Sequence, residues 1–130
     1  MSSKKSTYTI TPTLEVHVTS EDIDDIMAAA MDSITYWCCK AKVVGDYNWL
    51  NEYASDQISR GNSLILYDAE SNDKWELTLD KFLNGLKLAI EQGIGISINV
   101  ADGSIDTAEI DGAYADAIVQ LALFGEVVFG

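Results

Sequence analysis

Residues 20–26 read SEDIDDI and set four carboxylates, Glu21, Asp22, Asp24 and Asp25, into five consecutive positions. Carboxylates at that density can ligate a divalent cation, work as acid and base, or present a row of negative charge to a cationic partner. A second acid-rich stretch, DAESNDK at 68–74, adds Asp68, Glu70 and Asp73. Its oxygens fall at positions 1, 3 and 5 of a calcium loop. Position 6 is Asp73 where the turn needs Gly, and position 12 is Leu79 where a bidentate Glu belongs. Asp102-Gly-Ser-Ile-Asp106 fails the same spacing. No dedicated metal site is expected.

Nucleophilic chemistry is poorly equipped. Cys38 and Cys39 are adjacent, His17 is the only histidine, and no basic cluster is present to lower a thiol pKa. Without a Cys-x-x-Cys pair or a second His, a structural zinc site is not expected either. Gly93-Ile-Gly95 lacks the third Gly and the trailing Lys-Ser/Thr of a phosphate loop. Asp68 and Glu70 read as solvated loop acids rather than an acid–base pair. Neither an enzyme nor a cofactor is expected. Arg60, the only Arg, stands beside Gly61 at a turn. Its guanidinium can fork onto a phosphate or carboxylate ligand, or onto one of the chain's many acids. Tyr36, Trp37, Tyr47, Trp49 and Tyr53 fall close together. Trp37 and Trp75 suit a core, whereas Tyr47 and Trp49, in a loop-like stretch, suit surface anchors.

Charge is the dominant feature. The 130 residues carry a net charge of −13. From Ser6 onward, 6 basic residues face 21 acidic ones, so the body carries −15. After Lys87 there is no Lys or Arg, while seven acids follow, among them Asp116. Such a surface repels nucleic acid and anionic lipid and attracts basic partners. No secretory h-region follows Lys4 and Lys5, no apolar run reaches the ~20 residues of a membrane span, and neighbouring cysteines suit a reducing compartment. A cytoplasmic protein is expected.

These side chains need elements to hold them. The length predicts one domain: residues 13–130, preceded by a flexible polar segment at 1–12. Alternation of Leu14, Val16 and Val18 against Glu15 and His17 predicts a half-buried strand over Thr13–Thr19, with His17 solvated. Ile23, Ile26, Met27, Ala30, Met31 and Ile34 mark a helix face, with Thr19 or Ser20 as cap and Asp22 completing a capping-box-like pair with Thr19. In its first turn Glu21, Asp22, Asp24 and Asp25 complement the positive end of the helix dipole. Residues 34–44 permit helix extension but favour a strand, since Ile, Thr, Tyr, Trp and Val dominate. Asn48–Ser59 permits a short helix. Leu64–Tyr67 and Trp75–Thr78 read as a hairpin joined by Asp68–Lys74. Thr78 caps a helix bearing Leu79, Phe82, Leu83, Leu86 and Ile90, ended by Gly93. A short strand is expected in Ile94–Val100. A last helix carries Ile110, Ala113, Tyr114, Ala117, Ile118, Leu121 and Ala122, capped by Asp106 or Thr107 and stopped at Gly125. Glu126–Phe129 suggests a final short strand. The order implies an α+β fold: a small antiparallel or mixed sheet packed against two or three helices.

The blocks DDI, ITYWC, VVGDY, EYASDQISRG, LILYDAE, WELTLDKFLNGLKLAIEQG and DAIVQLALFGEVVFG cover most of residues 20–130. Together they resemble a family of small acidic proteins carried by phages and integrative elements of gut Firmicutes. The resemblance implies a mobile-element accessory protein. Products of that kind are often counter-defence factors, including anti-CRISPR proteins, and many are compact and acidic. It assigns no catalytic residue.

Spacing then gives the acids a use. Phosphates lie about 6–7 Å apart along a DNA strand, each carrying one charge. Helix acids at i and i+3 or i+4, such as Asp22 with Asp25 or Glu21 with Asp24 or Asp25, stand roughly 5–6 Å apart at Cβ. The expected partner is therefore a protein with a basic, nucleic-acid-binding surface, a host defence nuclease being the natural case. It would be engaged by Glu21, Asp22, Asp24, Asp25, Asp68, Glu70 and Asp73, with neither nucleic acid nor membrane bound directly. A small-ligand or nucleotide-sequestering protein built on Arg60, Tyr47 and Trp49 is the alternative, and an interaction protein of other role the next. Nothing in the sequence excludes a homo-oligomer.

Overall fold

A computed structural model describes residues 5–48 and 52–130. Helix α1 spans Ser20–Ser33. Its start follows from Thr19: the Thr19 hydroxyl accepts from the Asp22 N–H, and the Asp22 carboxylate accepts from the Thr19 N–H, both at 3.0 Å. This capping box satisfies two of the donors that a helix start leaves open. Ile23, Ile26, Met27 and Ala30 are buried along one face. The helix ends in a 3-10 turn, Ile34–Tyr36, so the strand predicted over 34–44 begins only at Cys38. Ile34 is the reason: it stays on the buried stripe of α1 and keeps the chain helical for one more turn.

Strands β1 (Cys38–Val44), β2 (Ser63–Asp68) and β3 (Lys74–Leu77) form an antiparallel sheet in that order. Between β1 and β2, the described residues of Asn48–Ser59, where a short helix was permitted, hold a 3-10 turn at Ala54–Asp56. The register sorts the sheet by chemistry. Rows Ala41–Leu66–Trp75 and Val43–Leu64–Leu77 alternate with rows Lys40–Tyr67–Lys74 and Lys42–Ile65–Glu76. Side chains of successive residues leave opposite faces, so the first two rows meet the core and the second two face outward.

Helix α2 (Leu79–Glu91) is capped by Thr78, whose hydroxyl accepts from the Lys81 N–H at 3.2 Å. Helix α3 (Gly112–Phe124) packs along α2 and α1. Gly85 lets α2 and α3 approach: a Cβ there would stand 2.6 Å from the backbone N of Ala122. Gly125, at φ +74°, closes α3. A two-residue pair, β4 (Ser97–Ile98) with β5 (Ile105–Asp106), lies between the helices in sequence. The protein is a small α+β domain.

Four local expectations are corrected. Thr13–Thr19 is extended but forms no strand; its one bridge is His17 with Ser104, because no neighbouring strand runs alongside. The strand of 94–100 shortens to β4. Asp106 caps a 3-10 turn at Thr107–Glu109, and Asp111 caps α3, accepting from the Tyr114 N–H at 2.9 Å. Residues 126–129 are not a strand, since Gln120 takes the N–H groups of Val128 and Phe129 at 2.8 and 2.7 Å.

Candidate functional site

The acids do not share one face. The N-terminal turn of α1 meets the turn before β2, where the Ser59 hydroxyl donates to Asp24 at 2.6 Å, and the 3-10 turn before α3, where the Thr107 hydroxyl donates to Asp25 at 2.9 Å. The 68–74 loop sits at the other end: the Ala69 N–H donates to the Trp37 carbonyl, four residues past the end of α1. A 14-residue helix is roughly 21 Å long, so the two sets stand about 15–20 Å apart. At the α1 end, Glu21, Asp22, Asp24 and Asp25 are joined by Asp56, Asp106 and Glu109, which the sequence reading did not group with them. Glu21, Asp25, Asp106 and Glu109 are exposed; Asp22, Asp24 and Asp56 are half-buried. Each α1 carboxylate that accepts one protein hydrogen bond keeps lone pairs for a partner.

The loop acids are partly committed to their own turn. Asp68 accepts from the Glu70 N–H at 2.9 Å and the Ser71 hydroxyl at 2.7 Å, which holds its carboxyl below the usual range. Glu70 and Asp73 are exposed. Lys40 and Lys74 flank Tyr67 across the sheet in the adjoining row, and the Lys40 ammonium lies 5.5 Å from the Tyr67 ring centre. Three of the chain's eight Lys and Arg residues, Lys40, Lys42 and Lys74, thus stand with Glu76 on the outer sheet face, which dilutes the anionic character of the loop end.

The anchors proposed for a ligand are partly brought together, around Glu52. Its carboxylate takes the Arg60 guanidinium at 2.6 Å and the Asn48 N–H at 2.9 Å, and its carbonyl accepts from the Tyr47 hydroxyl at 3.2 Å. Arg60 therefore has an internal partner. Trp49 lies outside the described residues. Two concavities lie elsewhere: a groove of about 800 Å³ between residues 12–18 and α2, and one of about 540 Å³ beside Tyr114.

The thiols and the histidine are not assembled. Cys38 follows the C-terminal end of α1 and His17 precedes its N-terminal end, so the helix length separates them. Burial pushes the Cys38 thiol up, away from a reactive thiolate, and its Sγ donates to the Lys40 carbonyl at 3.3 Å. Among the described residues, no three His, Cys, Asp or Glu side chains converge as metal ligands.

One acid does something the sequence reading missed. Asp116 is buried, and its carboxylate accepts from the Tyr36 hydroxyl at 2.5 Å, the Trp37 indole N–H at 2.8 Å and the Gln120 amide at 2.8 Å. Gln120 in turn holds the tail, which stacks Phe129 on Trp37 at 5.1 Å. The signal was present: Asp116 and Gln120, four apart, are the polar residues within the otherwise apolar run ADAIVQLALF. This carboxylate is structural and belongs to no surface.

Comparison of the chain with protein-family models, with curated proteins and with solved structures finds no match in any of the three.

Proposed function

We propose that the protein is a non-enzymatic accessory protein of a mobile genetic element, and that its anionic α1 end occupies a basic, nucleic-acid-binding surface of a host defence nuclease. The single observation that carries this reading is the convergence at that end. Three chain segments far apart in sequence, bridged by Ser59–Asp24 and Thr107–Asp25, bring seven acids together. Arg60, the nearest cation in sequence to this cluster, is already held by Glu52. Uncompensated charge on a rigid helix start resembles a short run of phosphates more than it resembles a solubilising scatter. The anti-CRISPR-like role rests on the family resemblance and places the protein in the cytoplasm. Among the described residues no helix is long and apolar enough to cross a membrane.

The test is capture from the natural host at two salt concentrations. The wild-type protein should retain a nucleic-acid-binding nuclease at about 50 mM salt and release most of it by about 200 mM, as counterion-dependent contacts do. Glu21→Gln with Asp25→Asn, Asp106→Asn and Glu109→Gln should abolish retention, while Glu70→Gln with Asp73→Asn at the opposite end should not. Retention that ignores salt, or that survives the first variant, refutes the reading. Capture of a small anionic ligand by Arg60 beside Tyr47 has less support, because Glu52 already holds the guanidinium.

A further inference from the structure

Residues 126–129 are held by side chains alone. Among the described residues, no backbone–backbone hydrogen bond involves them. The Gln120 Oε1 accepts from the Val128 and Phe129 N–H groups at 2.8 and 2.7 Å, and its Nε2 donates to the Phe129 carbonyl at 3.3 Å. One side chain thus supplies the acceptor and the donor that a sheet edge would offer to an extended peptide. Its orientation is fixed from behind. Nε2 also donates to Asp116 at 2.8 Å, and a carboxylate only accepts, so Oε1 must face the segment. The Phe129 ring enters a box of three others, stacking on Trp37 at 5.1 Å and meeting Phe124 and Trp75 edge-on at 5.9 and 6.0 Å. The walls touch one another without it: Trp75 lies 5.9 Å from Trp37 and 5.0 Å from Phe124, again edge-on.

We propose that Gln120 and the three rings form a recognition site for an extended peptide segment bearing an aromatic side chain, and that residues 126–129 fill it in cis as a displaceable strap. Three observations favour displacement. First, the strap hangs from Gly125, at φ +74°, where an added Cβ would meet nothing within 4 Å. A small residue in open space at an element's end can absorb the rotation of a hinge. Second, contact is confined to few atoms. Glu126, Val127 and Val128 are exposed, the valines at 52% and 53%, and only Phe129 is half-buried. Third, gain and cost are of similar size: three hydrogen bonds and one partly buried ring are offset by the entropy of ordering four residues. The open strap is then populated at about 0.1–10%, the range of an ordinary minor state. Opening uncovers Trp37 and Gln120, which are otherwise buried. The clamp reads main-chain groups that every peptide carries, and the box selects an aromatic ring, so the class of ligand is an extended peptide and not a particular sequence. This inference goes beyond the charge-mimicry reading and shares no residue with it, since none of the seven acids at the α1 end touches the clamp or the box.

Hydrogen exchange of the intact chain tests the strap. The Val128 and Phe129 amides should be protected about 10- to 1,000-fold, the reciprocal of the open population. The amide of Val119, in the buried part of α3, should exchange at least about 10-fold more slowly, because it opens with the core. A peptide added in trans tests the site. The acetylated, amidated peptide Glu-Val-Val-Phe-Gly is titrated past about 1 mM, the effective concentration of a short tether. It should shift the NMR signals of the Trp37 indole N–H and the Gln120 side-chain amide, and the same peptide with Ala in place of Phe should shift neither. Phe129→Ala empties the box and leaves its walls and the clamp in place. It should bind the phenylalanine peptide at least about 10-fold more tightly than the wild type, because the competing ring is gone. The strap is overturned if Val128 and Phe129 exchange as slowly as Val119, opening only with the whole molecule, or exchange without protection and so are not held. The recognition site is overturned if Phe129→Ala binds the peptide no more tightly than the wild type, or if the alanine peptide binds as well.

Discussion

Asp116 shows what a single buried carboxylate can organise. Its three donors come from the 3-10 turn after α1 and from α3, so it ties two helical elements and, through Gln120, the chain end. Removing the acceptor strands the donors of the buried Trp37 and Gln120, at about 1–3 kcal/mol each. Asp116→Ala is therefore expected to lower the unfolding free energy by roughly 3 kcal/mol or more in urea titration, and Asp116→Asn, which keeps one acceptor oxygen, by clearly less. The network also sets a pH response. Burial of the hydroxyl, followed by the Asp116 carboxylate, pushes Tyr36 above the usual phenol value. A raised folded-state pKa contributes stability that is present below about pH 10, where the unfolded tyrosine still holds its proton, and is lost as pH rises through the folded value. Stability measured from pH 8 to 12 should fall less steeply above about 10 in Tyr36→Phe than in the wild type; equal slopes would mean that Tyr36 titrates as if it were free. Sequence alone ranked Asp116 among the surface acids because charge is counted without burial. The contact that buries it spans 80 residues, which no local pattern encodes.

Elements were legible where local chemistry alone decides them. The α1 capping box, the Thr78 cap and the glycine stop at Gly125 follow from residues within four positions of one another, and the hairpin from two strand patterns around a polar loop; each is present in the structure. What failed was pairing. The alternation of 14–18 is genuine, yet a strand needs a neighbour, and the fold supplies only Ser104. The tail of 126–129 likewise has strand-forming residues but finds a glutamine instead of an edge. The acidic site was half legible: the α1 acids were found, but the sequence grouped them with 68–73 rather than with Asp56, Asp106 and Glu109, because proximity there depends on long-range contacts of α1 with the 3-10 turns at Ala54–Asp56 and Thr107–Glu109. At this scale Gly85 gives a test in which two effects oppose. Replacing a mid-helix Gly by Ala ordinarily gains up to about 1 kcal/mol in propensity. Here the new methyl would stand 2.6 Å from Ala122 backbone and side-chain atoms, and overpacking of a tight helix contact costs about 1–3 kcal/mol. Gly85→Ala should therefore destabilise the protein in thermal unfolding. Thr19→Ala, which removes one half of the α1 capping box, should cost about 1 kcal/mol.

For the whole molecule, the distribution of charge matters more than its sum. Lys40, Lys42 and Lys74 share the outer face of the sheet, and seven acids crowd the α1 end. Lysines on the edge strands β1 and β3 also discourage edge-to-edge pairing, so the cationic face has a use within the fold. At the anionic end Asp22, Asp24, Asp25 and Asp106 also serve the fold through single hydrogen bonds, whereas no described hydrogen bond uses the exposed Glu21. The acids of this end stand close enough to repel one another, and the dipole of α1 offsets only those in its first turn. Self-repulsion of this kind weakens as salt shortens the screening length from about 30 Å at 0.01 M to about 8 Å at 0.15 M. The wild-type melting temperature should therefore rise over that range. In the variant carrying Glu21→Gln, Asp25→Asn, Asp106→Asn and Glu109→Gln the rise should be markedly smaller, while neutralising Glu70 and Asp73 should leave it nearly intact. The same four changes should abolish nuclease capture. On the proposed function, the charges that cost stability at this end would be the ones that confer binding. If the four-fold variant showed the wild-type salt dependence, the seven acids would be electrostatically independent, and the case for a concerted anionic site would fall with that measurement.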